Sequence, residues 1–208
     1  MRLCVFVLFS LLATQALASE EAMLRFNQLN ADPVLRQQAY AAGQERIRFC
    51  GNCHGENGNS KRAHIPNLAQ QNPVYLFNAF EKFASGERKD FVMSKLAPSL
   101  TAADRVNIAI YFGQQKLLPH TDPVDPALLA QGEVKFKTIC TGCHGVNAEG
   151  RDNTPRLAGQ PSEYVRKALS RFRDKDPSRA GSVMMTIAAD FSDQEISALA
   201  AYLQQLQP

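Results

Sequence analysis

Five consecutive residues, Cys50-Gly51-Asn52-Cys53-His54, place two thiols three positions apart with an imidazole directly after the second. The pattern returns as Cys140-Thr141-Gly142-Cys143-His144. In a helical turn both thiols project to one side, where each can add to a vinyl group of one porphyrin while the next residue offers its ring nitrogen to the iron. This is the pattern of c-type haem attachment. Two copies imply two haem c groups, tethered by Cys50 and Cys53 and by Cys140 and Cys143, with His54 and His144 as proximal iron ligands. A structural zinc site would want its cysteine pairs closer together, roughly 15–20 residues apart, and a thioredoxin-like pair would sit among alternating strands and helices. An exported dithiol could also close into a disulfide. The duplicated histidine, directly after each second cysteine, favours haem over all three.

The sixth ligand decides whether each iron carries electrons or does chemistry. A methionine thioether is soft and neutral; it favours ferrous iron, raises the potential and leaves no open position for oxygen or peroxide. Aligning the repeats sets Met93 against Met184, each with an alanine four residues later and a helix N-cap eight residues later. That register selects Met184 over its neighbour Met185, although a methionine before a helix is ordinarily core filler. His64 and His120 have no counterparts in the other repeat and read as solvated loop residues, with His64 the second candidate for the first iron. Arg88 and Arg179 lie five residues before the two methionines, where each could pair with a haem propionate or simply sit exposed.

The elements that must position these groups recur in one order. Asp32-Pro33 is an N-cap followed by proline at the first helical position, and a helix over 34–49 leads into the first motif. A turn-rich loop and the segment Pro66-Asn67-Leu68-Ala69-Gln70-Gln71 follow. A second helix begins at Asn72-Pro73 with Tyr75, Leu76, Ala79, Phe80 and Phe83 on one face, and a third opens at Thr101 in a capping box with Asp104. Pro119, Pro123 and Pro126 then forbid a continuous helix. After them Asp125-Pro126, the loop from Gly145, Pro155-Arg156-Leu157-Ala158-Gly159-Gln160, the Tyr164 to Phe172 face and the Ser192/Glu195 cap repeat the series. A period of ninety residues means duplicated domains and not a solenoid. The fold expected is all-α, two tandem units of about 90 residues, each too small to be very stable without its cofactor. The divisions expected are a leader over 1–18, an extension over 19–38, domains over 39–117 and 126–208, and a linker over 118–125. The stretch 19–30 could be a short helix or a frayed end.

Leu3 to Leu12 is apolar apart from Ser10 and precedes Ala16-Leu17-Ala18, so the first eighteen residues read as a cleaved secretory leader; a retained anchor would want a longer run. Cys4 leaves with it, and every remaining cysteine belongs to a motif. The formal charge falls from +3 to +2 without Arg2. There is no basic run interleaved with aromatics, which argues against a nucleic-acid partner. No second apolar stretch is long enough to span a bilayer, so the mature chain is expected to be soluble and exported.

Together the two Cys-x-x-Cys-His-Gly motifs, the Pro-x-Leu-Ala-x-Gln segments at Pro66 and Pro155, the Phe83 to Arg88 stretch and the Met-x-x-x-Ala segments resemble the dihaem cytochrome c4 family of bacterial periplasmic electron carriers. The resemblance runs from about Ala39 to the end. It implies two cytochrome c-like domains related by a pseudo-twofold, each wrapped around one covalent haem c, with His/Met iron in both and haems facing across the interface. It further implies that the Pro66 and Pro155 carbonyls orient the imidazoles. The function expected is single-electron transfer, without catalysis, from a quinol-oxidising cytochrome bc complex or a dehydrogenase to a terminal oxidase or reductase. The partners would be redox proteins, met in small transient contacts. Two rivals are a cytochrome subunit of a complex such as a flavin-containing sulfide dehydrogenase, and a dihaem peroxidase or sulfur-compound dehydrogenase. Three departures from the family stand out: a long segment before Ala39, Asp174-Lys175-Asp176-Pro177 in place of the Gly86 region, and Gln70 where the second repeat has Gly159.

Overall fold

A computed structural model of the chain describes residues 21 and 23–207. The expected leader, with Cys4, lies outside the described residues. Helices and loops make up all of it; among the described residues there is no strand, only an isolated bridge between Arg151 and Thr154. The stretch left open between helix and frayed end is a helix, α1, over 23–31. Phe26 explains why: it is fully buried and stacks on Phe77 with ring centroids 6.1 Å apart, so the extension is fastened to the first core.

Helix α2 (Pro33–Arg46) begins where the sequence puts it, the Asp32 carboxylate accepting from the Val34 and Leu35 amides. It does not run unbroken into the motif. The chain breaks at Ile47, whose side chain is buried, and restarts as α3 (Arg48–His54). Helix α4 (Pro73–Ser85) buries Leu76, Phe77, Phe80 and Phe83, so the buried face is turned slightly from the one expected, with Phe77 in it and Tyr75 at its edge. The one-turn α5 (Met93–Leu96) precedes α6 (Ala102–Gly113), which starts with the reciprocal capping box of Thr101 and Asp104. The second series is α7 (Pro126–Ile139), α8 (Thr141–His144), α9 (Ser162–Arg173), α10 (Met184–Ile187) and α11 (Asp193–Gln205), with its own capping box at Ser192 and Glu195.

Each series closes by crossing its first long helix over its last, and each crossing is made at a helical glycine. A Cβ on Gly43 of α2 would lie 2.3 Å from the Asn107 carbonyl oxygen, and one on Gly132 of α7 would lie 2.1 Å from that of Ala198. Backbone meets backbone there, and no side chain can swing aside. Gly132→Ala therefore gains helix propensity of about 1 kcal/mol but must push α11 away. The expected net loss is about 2 kcal/mol, read as a lower melting temperature of the haem-loaded protein.

Two separate clusters fill the interior. One holds Phe26, Ile47, the α4 face and Val106 to Phe112; the other holds Phe136, Leu169, Phe172, Phe191, Ile196, Leu199 and Leu203. The Asp174–Pro177 departure is absorbed before α10 begins. In the first repeat Gly86 turns the chain with φ +82°; in the second Lys175 takes the left-handed conformation (φ 52°) and a 3-10 turn over Pro177–Arg179 uses up the extra residues. Gln70 likewise adopts the positive φ (55°) that Gly159 adopts in the second repeat (65°), so the same loop shape persists at a side-chain position where glycine would be easier.

Candidate functional site

Helix α3 carries Cys50 and Cys53 on its last two turns and ends at His54. In the second repeat Cys140 caps α8, which carries Cys143 and ends at His144. Directly after each histidine a glycine reverses the chain, Gly55 at φ +78° and Gly145 at φ +81°. At Gly55 a Cβ would also strike the Asn59 carbonyl, so both conformation and space demand glycine there. The reversed loop then returns a proline carbonyl to the ring. The His54 Nδ1–H donates to Pro66 O at 2.9 Å, and the His144 Nδ1–H donates to Pro155 O at 2.9 Å. A carbonyl can only accept, so it fixes the proton on Nδ1 and leaves the Nε2 lone pair free. Burial holds both imidazoles below the usual histidine pKa, against the opposing pull of the carbonyls. They are thus neutral donors of the kind a metal requires.

The four motif cysteines form no disulfide. Burial pushes the Cys50 thiol up and that of Cys140 up to about 11, so neither is poised as a thiolate for metal binding or disulfide exchange. Paired reduced thiols directly before a buried imidazole suit thioether tethering.

Met93 and Met184 each occupy the first residue of a one-turn helix, α5 and α10. Met93 packs half-buried on the cluster that also receives Cys50, and Met184 and Met185 pack on the cluster that receives Cys140. Each methionine is therefore brought into the same repeat's core as the matching motif. His64 is exposed. His120 departs from the solvated reading: it is half-buried, and its Nε2 lies 3.2 Å from Gly159 O.

Arg88 and Arg179 are not simply exposed either. Each guanidinium lies over a buried ring, Arg88 over Phe83 at 4.6 Å and Arg179 over Phe172 at 4.4 Å. Arg88 also donates to the Tyr75 hydroxyl at 3.2 Å. Burial disfavours the Arg88 charge, but the phenols of Tyr75 and Tyr164 outweigh it and keep the group charged; burial and then the charge of Arg88 pull Arg179 downward. The two cations come from different repeats and are close enough to feel each other. Among the described residues no carboxylate lies within ion-pair distance of either. Charges so sheltered want an anionic partner, and a haem brings two carboxylates. Tyr75 and Tyr164, placed by the sequence on apolar helix faces, complete this cluster; their place in the repeat register was the signal that could have marked them. The carbonyl-fixed imidazoles, the paired reduced thiols and the paired guanidiniums all fit haem c.

The cytochrome c family model matches residues 129–207. Cytochrome c4 of Pseudomonas aeruginosa is 36% identical over 178 residues, spanning 80% of this chain and 88% of that protein. A thiosulfate dehydrogenase electron acceptor of Thiomonas intermedia is 32% identical over 186 residues, spanning 82% and 85%. The crystal structure of reduced recombinant cytochrome c4 from Pseudomonas stutzeri superposes with a TM-score of 0.73 at 34% identity, over 80% of this chain and 98% of that one.

Proposed function

Since the chain belongs to the cytochrome c4 family and so carries two covalent haem c groups as an electron-transfer protein, we propose that it relays single electrons between respiratory partners without catalysing a reaction itself. The observation that carries this reading is the matched pair of repeats, each offering a carbonyl-fixed imidazole and a methionine at the head of a one-turn helix. In it, Cys50 and Cys53 tether one haem and Cys140 and Cys143 the other. His54 and Met93 would ligate the iron of the first, and His144 and Met184 that of the second. The haem irons supply a one-electron ferric/ferrous couple. The chain's own part would be to keep that couple confined: the methionine sulfurs would shut out oxygen and peroxide, and the carbonyl-bonded imidazoles would hold the irons in place. Arg88 and Arg179 would hold propionates of the two haems.

The domains we propose are 39–117 and 126–208 joined by 118–125, with the extension packed on the first through Phe26. Export through a leader over 1–18 would place the carrier in the periplasm, and among the described residues no helix is long and apolar enough to cross a membrane. Electrons would arrive from a quinol-oxidising cytochrome bc complex or a dehydrogenase and leave to a terminal oxidase or reductase. The Thiomonas relative gives specific weight to a second donor, a sulfur-compound dehydrogenase. The test is the spectrum of the isolated protein together with its response to peroxide and carbon monoxide. Two low-spin haems per chain, both with a sulfur-to-iron band and both inert to these ligands, are expected. Ligand binding at one ferrous haem, or peroxide turnover, would replace the carrier by an enzyme.

A further inference from the structure

The two prolines that accept from the histidines are each followed by a peptide nitrogen that is itself held from the other repeat. The Pro66 carbonyl and the Asn67 N–H belong to one peptide group. Its oxygen accepts from His54, and its N–H donates to the Gln160 side-chain Oε1 at 3.0 Å. The Gln160 Nε2 then donates to the Asn67 carbonyl at 2.9 Å, so one carboxamide grips both backbone groups of Asn67. In the opposite direction the Pro155 carbonyl accepts from His144, the Arg156 N–H donates to Gln71 Oε1 at 2.7 Å, and Gln71 Nε2 donates to the Arg156 carbonyl at 2.9 Å. Asn67, Gln71, Arg156 and Gln160 are all at most 3% exposed, so water does not compete for these bonds.

A peptide group is polarised along its length. An acceptor on its N–H makes its carbonyl a better acceptor, and hydrogen bonds in a buried chain reinforce one another. Each glutamine therefore acts on an imidazole it never touches. It draws electron density toward the proline oxygen, and the tighter Nδ1–H bond makes Nε2 the stronger donor to iron. We propose that Gln71 and Gln160 are reciprocal positioning residues, each setting across the contact between repeats the carbonyl that orients and tunes the other repeat's iron-binding histidine. The proposal rests on His54 and His144 being the proximal ligands. Its consequence is that neither haem's proximal side is complete without the opposite repeat, and that the potential of each haem is partly written in the other half of the chain.

A stronger donor favours ferric iron, so losing the grip raises the potential, and it raises the potential of the opposite haem. Gln160→Met, which keeps length and removes both bonds, should raise the midpoint of the haem held by His54 more than that of the haem held by His144. Gln71→Met should do the reverse. Midpoints are assigned by following each haem's NMR signals, identified by contacts to its own repeat, through a redox titration. A larger shift of the haem in the mutated residue's own repeat, or no shift of either, overturns the proposal. Should a variant fail to fold, hydrogen exchange in the wild-type protein decides. The His54 Nδ1–H is expected to exchange together with the Asn67 amide and the Gln160 carboxamide. A His54 ring proton that stays protected while those two exchange freely overturns the proposal as well. Failure of the underlying ligand assignment is distinguishable, because the wild-type protein would then lack two histidine-coordinated low-spin haems before any glutamine is changed.

Discussion

Met93→Ala is expected to cost the oxidised protein half of its sulfur-to-iron absorption and to lower the midpoint of one haem by on the order of 0.2 V, against the roughly 0.8 V over which axial ligands move haem potentials. At ~59 mV per tenfold for a one-electron couple, this shifts that haem's ferrous-to-ferric ratio roughly a thousandfold or more. The direction comes from the ligand: a thioether is a weak, neutral donor that favours ferrous iron, and water or an adventitious nitrogen in its place favours ferric. Met184→Ala should do the same at the other haem. The adjacent Met185 provides the sharper question. On a helix, neighbouring side chains diverge by about 100°, so Met185 cannot reach the position of Met184 unless α10 unwinds. Met184→Ala should therefore open its iron to carbon monoxide in the reduced state, whereas Met185→Ala should leave both irons closed. If Met184→Ala keeps the full band and Met185→Ala loses half of it, the ligand is Met185, and the register between the repeats breaks at that helix.

The features legible in the sequence were those that a short stretch decides by itself. Asp32 with Pro33, Thr101 with Asp104 and Ser192 with Glu195 start helices through bonds that reach no further than three residues, and each start is found where the sequence puts it. The motif helices end at Gly55 and Gly145 for the same local reason. Groups whose partners lie far along the chain were harder. Met23, Phe26 and Leu29 are scattered among polar residues in sequence, and it is their packing on the distant first core, with Phe26 against Phe77, that makes the segment a helix worth forming. The helix over 34–49 breaks at Ile47, whose side chain is buried in the first core, a long-range packing demand that helical periodicity does not register.

The paired arginines show a different limit. Five residues separate Phe83 from Arg88 and seven separate Phe172 from Arg179, so a comparison counted from the rings looks broken, while one counted from the methionines holds. The structure reconciles the two counts by spending the extra residues in the turn at Lys175 and the 3-10 segment. The reciprocal grip of Gln71 and Gln160 was half visible. The glutamines recur in the Pro-x-Leu-Ala-x-Gln segments, but a polar residue in a loop is ordinarily exposed. Its burial depends on the opposite repeat, which no local rule contains.

Arg156→Met is the substitution expected to cost the most stability, about 4 kcal/mol. Arg156 is only 1% exposed and meets no carboxylate among the described residues. Its guanidinium instead fans across four backbone carbonyls, those of Asn67, Ala69 and Gln70 in the first repeat and of Ala158 in its own. Burial pulls its pKa down to about 10, which leaves it charged at neutral pH. Methionine would fill much of the volume but donate nothing. Gln160 still reaches the Asn67 carbonyl, but those of Ala69, Gln70 and Ala158 would be left without a donor in the interior, at about 1–3 kcal/mol each before relaxation shares the loss, which places the total near the low end of three times that figure. The first repeat bridges at the matching position with a neutral side chain: Asn67 Nδ2 donates to Gly159 O at 2.8 Å while its Oδ1 accepts from the Ser60 amide at 2.8 Å. The repeats are thus joined by one amide and one cation in places that the duplication made equivalent. Because the carbonyls of 67, 69 and 70 lie in the first repeat, the loss should register there as well. Chemical denaturation of Arg156→Met is expected to lower the midpoint for both haem environments together, with Arg156→Lys, which keeps the charge but has fewer directed donors, falling between it and the parent. If the methionine variant stays within about 1 kcal/mol of the parent, the cost of burying the guanidinium had cancelled its hydrogen bonds, and the repeats are held by their other bonds, those of Gln71, Gln160, Asn67 and Asn72 among them.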